Sequence, residues 1–357
     1  MKVLALNSSA RKGGQSKTEW MLASLATGMV TAGAAVDVVH LRDKKIRYCT
    51  GCFTCWTKTP GQCVLQDDMT KELLPKLIEA DLVVYATPLY HHTVNAHMKT
   101  FIERTLPCIE PFFEKRNGKT SHPMRHDLGR AVVLSVAGFP EFSAFDQLSA
   151  YVNHLFGDRL VAEIYRPAAE SLMQAGMEQR RAAIASALRS AGSELIEKGF
   201  VTEKTMADIH LPIARDVEQF HVLGNMFWKT CIREGITPKQ FVEKKVIPRP
   251  DSIKEFMLLT GMAFNPEGAG DMAATLQYKF SGAVEGNCHF IIAEGALSAR
   301  EGVCEDPSLT IDTPFDLWMD IMTGKADGQQ MFMEQKYTAE GDVALLMKMR
   351  AFFGSEK

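Results

Sequence analysis

The chain has 357 residues, 46% of them apolar and 23% charged, with a net charge of −3. This composition can bury a sizeable core; it excludes a disordered chain and a polybasic nucleic-acid binder, and the length predicts two or three domains. The N-terminal apolar run is too short for a secretory signal and no stretch has the ~18 apolar residues of a membrane span, so a cytoplasmic protein with reduced thiols is expected.

In chain order, the first half alternates strand and helix. "KVLALN" (2–7), "AAVDVVHL" (34–41), "DLVVYATP" (81–88), "RAVVLSVAG" (130–138) and "RLVAEIYRPA" (159–168) are continuous apolar runs. Such runs suit strands covered on both faces, as in a parallel sheet. Helical patterns over about 16–31, 68–79, 94–105 and 144–156 lie between them. The alternation predicts βαβ units in an α/β, doubly wound parallel sheet of flavodoxin-like order 2-1-3-4-5, with a ligand at the carboxyl ends of the strands.

A long helix follows, with Ile184, Leu188, Ala191 and Leu195 on one face and Gly199 as its stop. Residues 203–247 are helical by pattern, anchored by Phe227 and Trp228, and "KKVIPRPDS" (244–252) is the expected boundary. Next come strands at 275–282, 287–295 and 308–313, then a helix with Thr313 as N-cap, Pro314 at its first position and Gly324 as its end. A last helix at 342–353 places Leu345, Leu346, Met349, Phe352 and Phe353 together. The domains expected are therefore 1–200, a helical extension 201–250, and an α+β domain 251–357.

The loop "LNSSARKGGQSKTEW" between the first strand and first helix gathers glycines, hydroxyls and one Arg. Free N–H groups at a helix start, with hydroxyls and a guanidinium, suit a phosphate monoester; the alternative is a polar turn capped by Ser16. The Walker spacing is absent. The loop resembles the "N-G-S-P-R-K-x-G-N-T" segment of the NADPH-dependent FMN reductase and iron–sulfur flavoprotein family, with Ser8 for the usual Gly and Gln15 for Asn. The resemblance implies that Ser9, Arg11, Gln15 and Ser16 hold the FMN phosphate. "ATPLYHHTVNAHMKTFIERTL" (86–106) is similar to the family's "T-P-x-Y…K-x-F-x-D-R", with Glu103 for Asp, which makes Thr87, Pro88, Leu89 and Tyr90 flavin-contact candidates. A rigid proline loop with an aromatic ring suits a flat π-system. By topology Ala137 and Gly138, after the fourth strand, form a third wall. His91 and His92 read as surface or packing residues, because hydride transfer to flavin needs no protein base. No catalytic residue is assigned.

Cys49, Cys52, Cys55 and Cys63 follow the spacing C-x2-C-x2-C-x7-C. Three thiols so close favour a compact iron–sulfur loop over the two distant pairs of structural zinc, and free or redox thiols are the other reading. The string resembles the iron–sulfur flavoprotein motif, which implies a four-iron–four-sulfur ([4Fe-4S]) cluster on these four cysteines. Cys108, Cys231, Cys288 and Cys304 are scattered and read as apolar fillers.

From about residue 256, "LQYKFSG", "GNCHFIIAEG" and "PSLTIDTPFDLWMDIMTGKADGQQMFMEQKYTAEGDVALLMKMRAFF" resemble the sterol carrier protein type-two domain. The resemblance implies an apolar tunnel for a lipid or other hydrophobic ligand, and six methionines between Met319 and Met349 suit an adaptable pocket or an ordinary core. Together the two resemblances imply an FMN-dependent oxidoreductase or electron-transfer flavoprotein, with NAD(P)H or a reduced electron carrier as donor. They also imply small-molecule partners, a quinone or other hydrophobic acceptor, and a homo-oligomer. The alternatives are a cluster-free NAD(P)H:flavin or quinone reductase and a non-enzymatic lipid-binding redox sensor or carrier.

Overall fold

The computed structural model describes residues 1–12, 14–116, 118–174, 176–213 and 216–353. The chain divides into two compact units, residues 1–215 and 216–357.

The first unit is built on β1 (Lys2–Asn7), β2 (Ala35–His40), β3 (Leu82–Pro88), β4 (Arg130–Val136) and β5 (Leu160–Arg166). They form one parallel sheet in the order β2-β1-β3-β4-β5. This is the expected flavodoxin-like order. The central strands are buried on both faces, which is why they read as unbroken apolar runs; the edge strand β2 buries only Val39. α1 (Lys17–Thr31) starts at Ser16, whose side chain accepts from the Glu19 N–H, and packs on β1 to β4. A π-turn (Met69–Leu73) leads into α2 (Leu74–Glu79), and α3 (Ala96–Glu103) and α4 (Asp146–Phe156) share the opposite face, where Tyr85, Phe101, Phe145 and Phe156 fill the core.

α5 (Glu178–Glu197) buries the expected stripe completely, with Ile184, Leu188, Ala191 and Leu195 all 0% exposed. Each large apolar side chain so buried contributes about 1.5–3 kcal/mol. α5 lies against α1 so closely that a Cβ on Gly28 would overlap the Arg189 carbonyl, and one on Gly192 the Leu25 carbonyl. α6 (Glu203–Ile209) then packs on α5. Its N-terminus is tied down by Glu194, which accepts from Thr202 N (2.9 Å) and Thr202 Oγ1 (2.9 Å) and pairs with Lys198 (3.0 Å).

In the second unit α7 (Val217–Glu234) is capped by Asp216, and α8 (Pro238–Glu243) opens with a Thr237–Gln240 capping box. α9 (Ile253–Met262) and α10 (Pro266–Ala269) precede β6 (Ala274–Ser281), β7 (Gly286–Ala293), β8 (Ala296–Glu301) and β9 (Leu309–Pro314). α11 (Phe315–Met322), α12 (Gly328–Met333), β10 (Thr338–Gly341) and α13 (Ala344–Phe353) complete it. The sheet order is β8-β7-β6-β9-β10, antiparallel except for β6 with β9. Phe256, Tyr278, Phe280, Phe290, Phe315 and Trp318 make an aromatic core, joined by Leu345 and Phe352 of α13. Segment 244–252 is fastened inside this unit: Arg249 pairs with Asp316 and Asp320.

Three local expectations shift. Trp228 is 54% exposed rather than an anchor within its unit, and Phe227 instead meets Phe241 at 4.7 Å. α11 starts one residue later than read, because Thr313 and Pro314 remain paired with β6 as part of β9. Cys304 is partly exposed, whereas Cys108, Cys231 and Cys288 are buried fillers.

Candidate functional site

A solvent-open cleft lies at the carboxyl ends of β1, β3 and β4. Ser9, Arg11, Ser16, Lys17 and Thr18 line one end; Pro88, Leu89, Tyr90, Val136, Ala137, Gly138, Ala169 and Glu170 line the rest. Local hydrogen bonds shape the first loop. Asn7 Oδ1 accepts from Ser9 N (3.0 Å), Ser9 Oγ from Arg11 N (3.3 Å), and Asn95 Nδ2 donates to the Ser8 carbonyl (2.7 Å). Arg42 reaches from the end of β2 to the carbonyls of Ser9 (3.2 Å) and Arg11 (3.1 Å). Ser16 is both helix cap and cleft wall: its oxygen accepts from Glu19 N, which leaves its O–H to donate into the cleft.

The wall after β3 is a rigid turn. Tyr90 and Thr93 exchange both backbone hydrogen bonds (3.0 and 3.1 Å) around His91 and His92, whose φ values are 47° and 62°. Two consecutive left-handed residues that are not glycine are strained and persist only where surroundings hold them. Here the His92 ring lies 6.2 Å from Phe139, nearly parallel, and its Nδ1 is 3.3 Å from the Ala144 carbonyl. His92 thus ties one wall to the next, and Tyr90 stands at the rim, 46% exposed.

Eight of the ten residues expected at a flavin site share this cleft; Gln15 and Thr87 do not line it. Gln15 is exposed, and its carbonyl accepts from Lys17 Nζ at 3.3 Å. Thr87 is fully buried behind the wall, where its hydroxyl accepts from Asn95 N (3.2 Å) and donates to the Pro88 carbonyl (3.1 Å). Sequence reading missed Lys17, Ala169 and Glu170, and it left Thr18, one of the loop's hydroxyls, and Val136, in the third-wall segment, without an assigned contact. Lys17 and Thr18 stand in the loop already quoted, whereas Glu170 has no local signal. Glu170 pairs with both Arg11 and Lys17, each at 2.5 Å. Burial works to raise its carboxyl, but these two cations hold it below its ordinary value.

A second, solvent-open pocket is lined by Cys49, Cys52, Cys55 and Cys63 together with Phe53, Leu65, Arg104 and Leu106. Gly51 (φ 65°) and Phe53 (φ 51°) bend the loop between the first three cysteines. Trp56 Nε1 pins it to the Leu106 carbonyl at 3.1 Å. Beneath it Arg104, 2% exposed, is gripped by Asp67 through Nη1 (2.7 Å) and Nη2 (3.1 Å), and Nη2 also points at Cys63 Sγ (3.5 Å). Burial, then the neighbouring Cys63 thiol, push Cys55 up; hydrogen bonds from Thr54 and Thr50 lower Cys52. The thiols spread around the cavity: among the described residues no three His, Cys, Asp or Glu side chains converge on a point that could hold a single ion.

Residues 1–139, which hold four of the five strands of the parallel sheet together with the hydroxyl–cation loop, match the NADPH-dependent FMN reductase family. Residues 266–354 match the SCP-2 sterol transfer family, so the chain joins the two domains in the order the sequence implied. Among curated proteins, an iron–sulfur flavoprotein of Archaeoglobus fulgidus is 36% identical over 156 residues, 43% of this chain and 62% of that protein. Another, from Methanocaldococcus jannaschii, is 31% identical over 117 residues, 33% of this chain and 58% of that protein. The chain thus spans about half to three-fifths of the length of the curated relatives it matches. Among solved structures, an azoreductase from Bacillus anthracis (16% identity, TM-score 0.40) covers 55% of this chain and 99% of its own. An NAD(P)H:quinone oxidoreductase from Methanothermobacter marburgensis (19% identity, TM-score 0.41) covers 55% and 96%. No helix among the described residues is long and apolar enough to cross a membrane.

Proposed function

We propose that this chain is an FMN-dependent oxidoreductase that takes electrons from NAD(P)H, holds an iron–sulfur cluster in its cysteine loop, and reduces a quinone or other hydrophobic acceptor. The observation that carries the flavin reading is the single cleft shared by the phosphate-type loop and the Pro88–Tyr90 and Ala137–Gly138 walls. Its donors fit the cofactor: the hydroxyls of Ser9, Ser16 and Thr18 and the cations of Arg11 and Lys17 match a phosphate monoester at the start of α1. Pro88, Leu89, Val136 and Ala137 offer apolar surface to a flat ring, and the exposed rim at Tyr90 leaves access for a second planar molecule. When bound, FMN supplies a centre that accepts a hydride and releases single electrons.

Four thiols around one cavity, at the spacing of a compact iron–sulfur loop, support the cluster, as does the name borne by the archaeal relatives. The chain's part is to gather the sulfurs, line them with Phe53 and Leu65, and aim an Arg104 N–H at Cys63. The hydrophobic acceptor rests on the SCP-2 match, and a lipid-like ligand in the second unit follows from the same match. One feature favours a second reading, a cluster-free reductase with redox thiols: Cys52 is exposed and its thiol is lowered toward the thiolate.

The test is to purify the protein without oxygen and count flavin, iron and zinc per chain alongside its absorbance spectrum. Flavin bands with a broad shoulder near 400 nm and about four irons per chain are expected. Flavin without iron selects the second reading; absence of flavin removes both.

A further inference from the structure

Two cations line the phosphate end of the cleft, and one carboxylate holds both. Glu170 Oε1 accepts from Arg11 Nη1 at 2.5 Å, and Glu170 Oε2 lies 2.5 Å from Lys17 Nζ. A carboxylate that bridges a guanidinium and an ammonium through separate oxygens does with them what a phosphate monoester would do. All three side chains line the same cleft.

The backbone delivers Glu170 to this place. Ala168 holds φ at 50°, a left-handed conformation that is strained without glycine. It is held by hydrogen bonds from Ala168 N to the Phe139 carbonyl (2.7 Å) and from Ala169 N to the Ala137 carbonyl (2.9 Å). The chain leaving β5 is thereby turned along the Ala137–Gly138 wall, and the next side chain, Glu170, enters the cleft.

We infer that Glu170 is a resident occupant of the phosphate seat, which holds Arg11 and Lys17 while the seat is empty and is displaced when a phosphate monoester enters. It therefore sets the affinity of the cleft for FMN. This rests on the FMN reading above. Charge points the same way as geometry: Arg11, Lys17 and Glu170 leave the seat a single net positive charge, whereas a phosphate monoester brings a charge of about −2. Glu170 competes for the donors and also repels the incoming dianion. Were Glu170 instead an orienting partner, its removal would loosen both cations and weaken binding.

The experiment compares wild type, Glu170→Gln and Glu170→Ala as full chains freed of flavin. FMN and riboflavin are titrated by fluorescence quenching and inorganic phosphate by calorimetry. Both variants are expected to bind FMN and phosphate about tenfold more tightly than wild type, with riboflavin changed less than about twofold. Unchanged or weaker binding of phosphate and FMN in both variants overturns the inference. If no protein binds FMN, the flavin reading fails, and the phosphate titration still decides the role of Glu170.

Discussion

Replacing Asp67 by Asn probes the support under the cysteine loop. The Asp67 carboxylate accepts from Arg104 Nη1 (2.7 Å) and Nη2 (3.1 Å), from Arg47 N (2.9 Å) and from Thr70 N (3.4 Å). The side chains of the pair are 1% and 5% exposed. An asparagine oxygen can serve Arg104 Nη1 and Arg47 N, but its NH₂ then faces Arg104 Nη2 and Thr70 N–H, donor against donor. Arg104 would be left a buried cation whose other acceptors are the Arg47 carbonyl, the Thr70 hydroxyl and the Cys63 sulfur. Breaking a buried ion pair from one side costs about 3–5 kcal/mol. The surviving acceptor places Asp67→Asn near the lower end, at about 3 kcal/mol. With a urea slope of about 2–3 kcal/mol per M, the unfolding midpoint of the first transition, followed by far-UV circular dichroism, should fall by about 1–1.5 M. A midpoint within about 0.3 M of wild type would refute this account of Arg104.

Arg11→Gln should weaken FMN binding by about tenfold or more while leaving riboflavin binding nearly unchanged, read by flavin fluorescence. Leu188→Ala, at a position with 0% exposure, should cost about 2–5 kcal/mol in denaturant unfolding, whereas Ser190→Ala on the exposed side of α5 should cost under about 0.5 kcal/mol; equal losses would show that the stripe is not the packing face. Burial acts to raise Glu194, but hydrogen bonds from Thr202 and Lys198 carry it down to about 2. A carboxyl with a depressed folded value stabilises above its unfolded value and loses that contribution as pH falls toward the folded one. Stability lost in Glu194→Gln relative to wild type should therefore shrink by about 1 kcal/mol between pH 6 and pH 3.5. A difference that stays constant with pH would contradict the assigned hydrogen bonds.

The sheet was legible because β3 and β4 are covered on both faces, so each is an unbroken apolar run. The α5 stripe was legible because Ile184, Leu188, Ala191 and Leu195 repeat at helical spacing. Trp228 misled because periodicity shows that a helix has an apolar face but not what the face meets. In the cleft, Arg11, Ser9 and Tyr90 sit in contiguous loops with a recognisable pattern. Glu170 pairs with Arg11 across 159 positions, and no local pattern encodes that meeting. Thr87 shows a different limit: one residue type serves as well for bracing a loop from behind as for lining it, and the choice depends on Asn95. The cysteine spacing suggested that the thiols gather, while the buried Asp67–Arg104 support beneath them came only from the fold.

The 159-residue separation of Arg11 from Glu170 also has a meaning in time. A ribosome adds about 5–20 residues per second, so Arg11 and Lys17 are made roughly 8–30 s before their carboxylate partner. Through that interval Arg11 and Lys17 have no Glu170 to pair with, and the walls after β3 and β4, the β5 edge and α5 over α1 are added only as it runs. On the inference drawn above, a phosphate monoester that meets the loop in that interval has no Glu170 to displace, whereas one that arrives at the finished unit does.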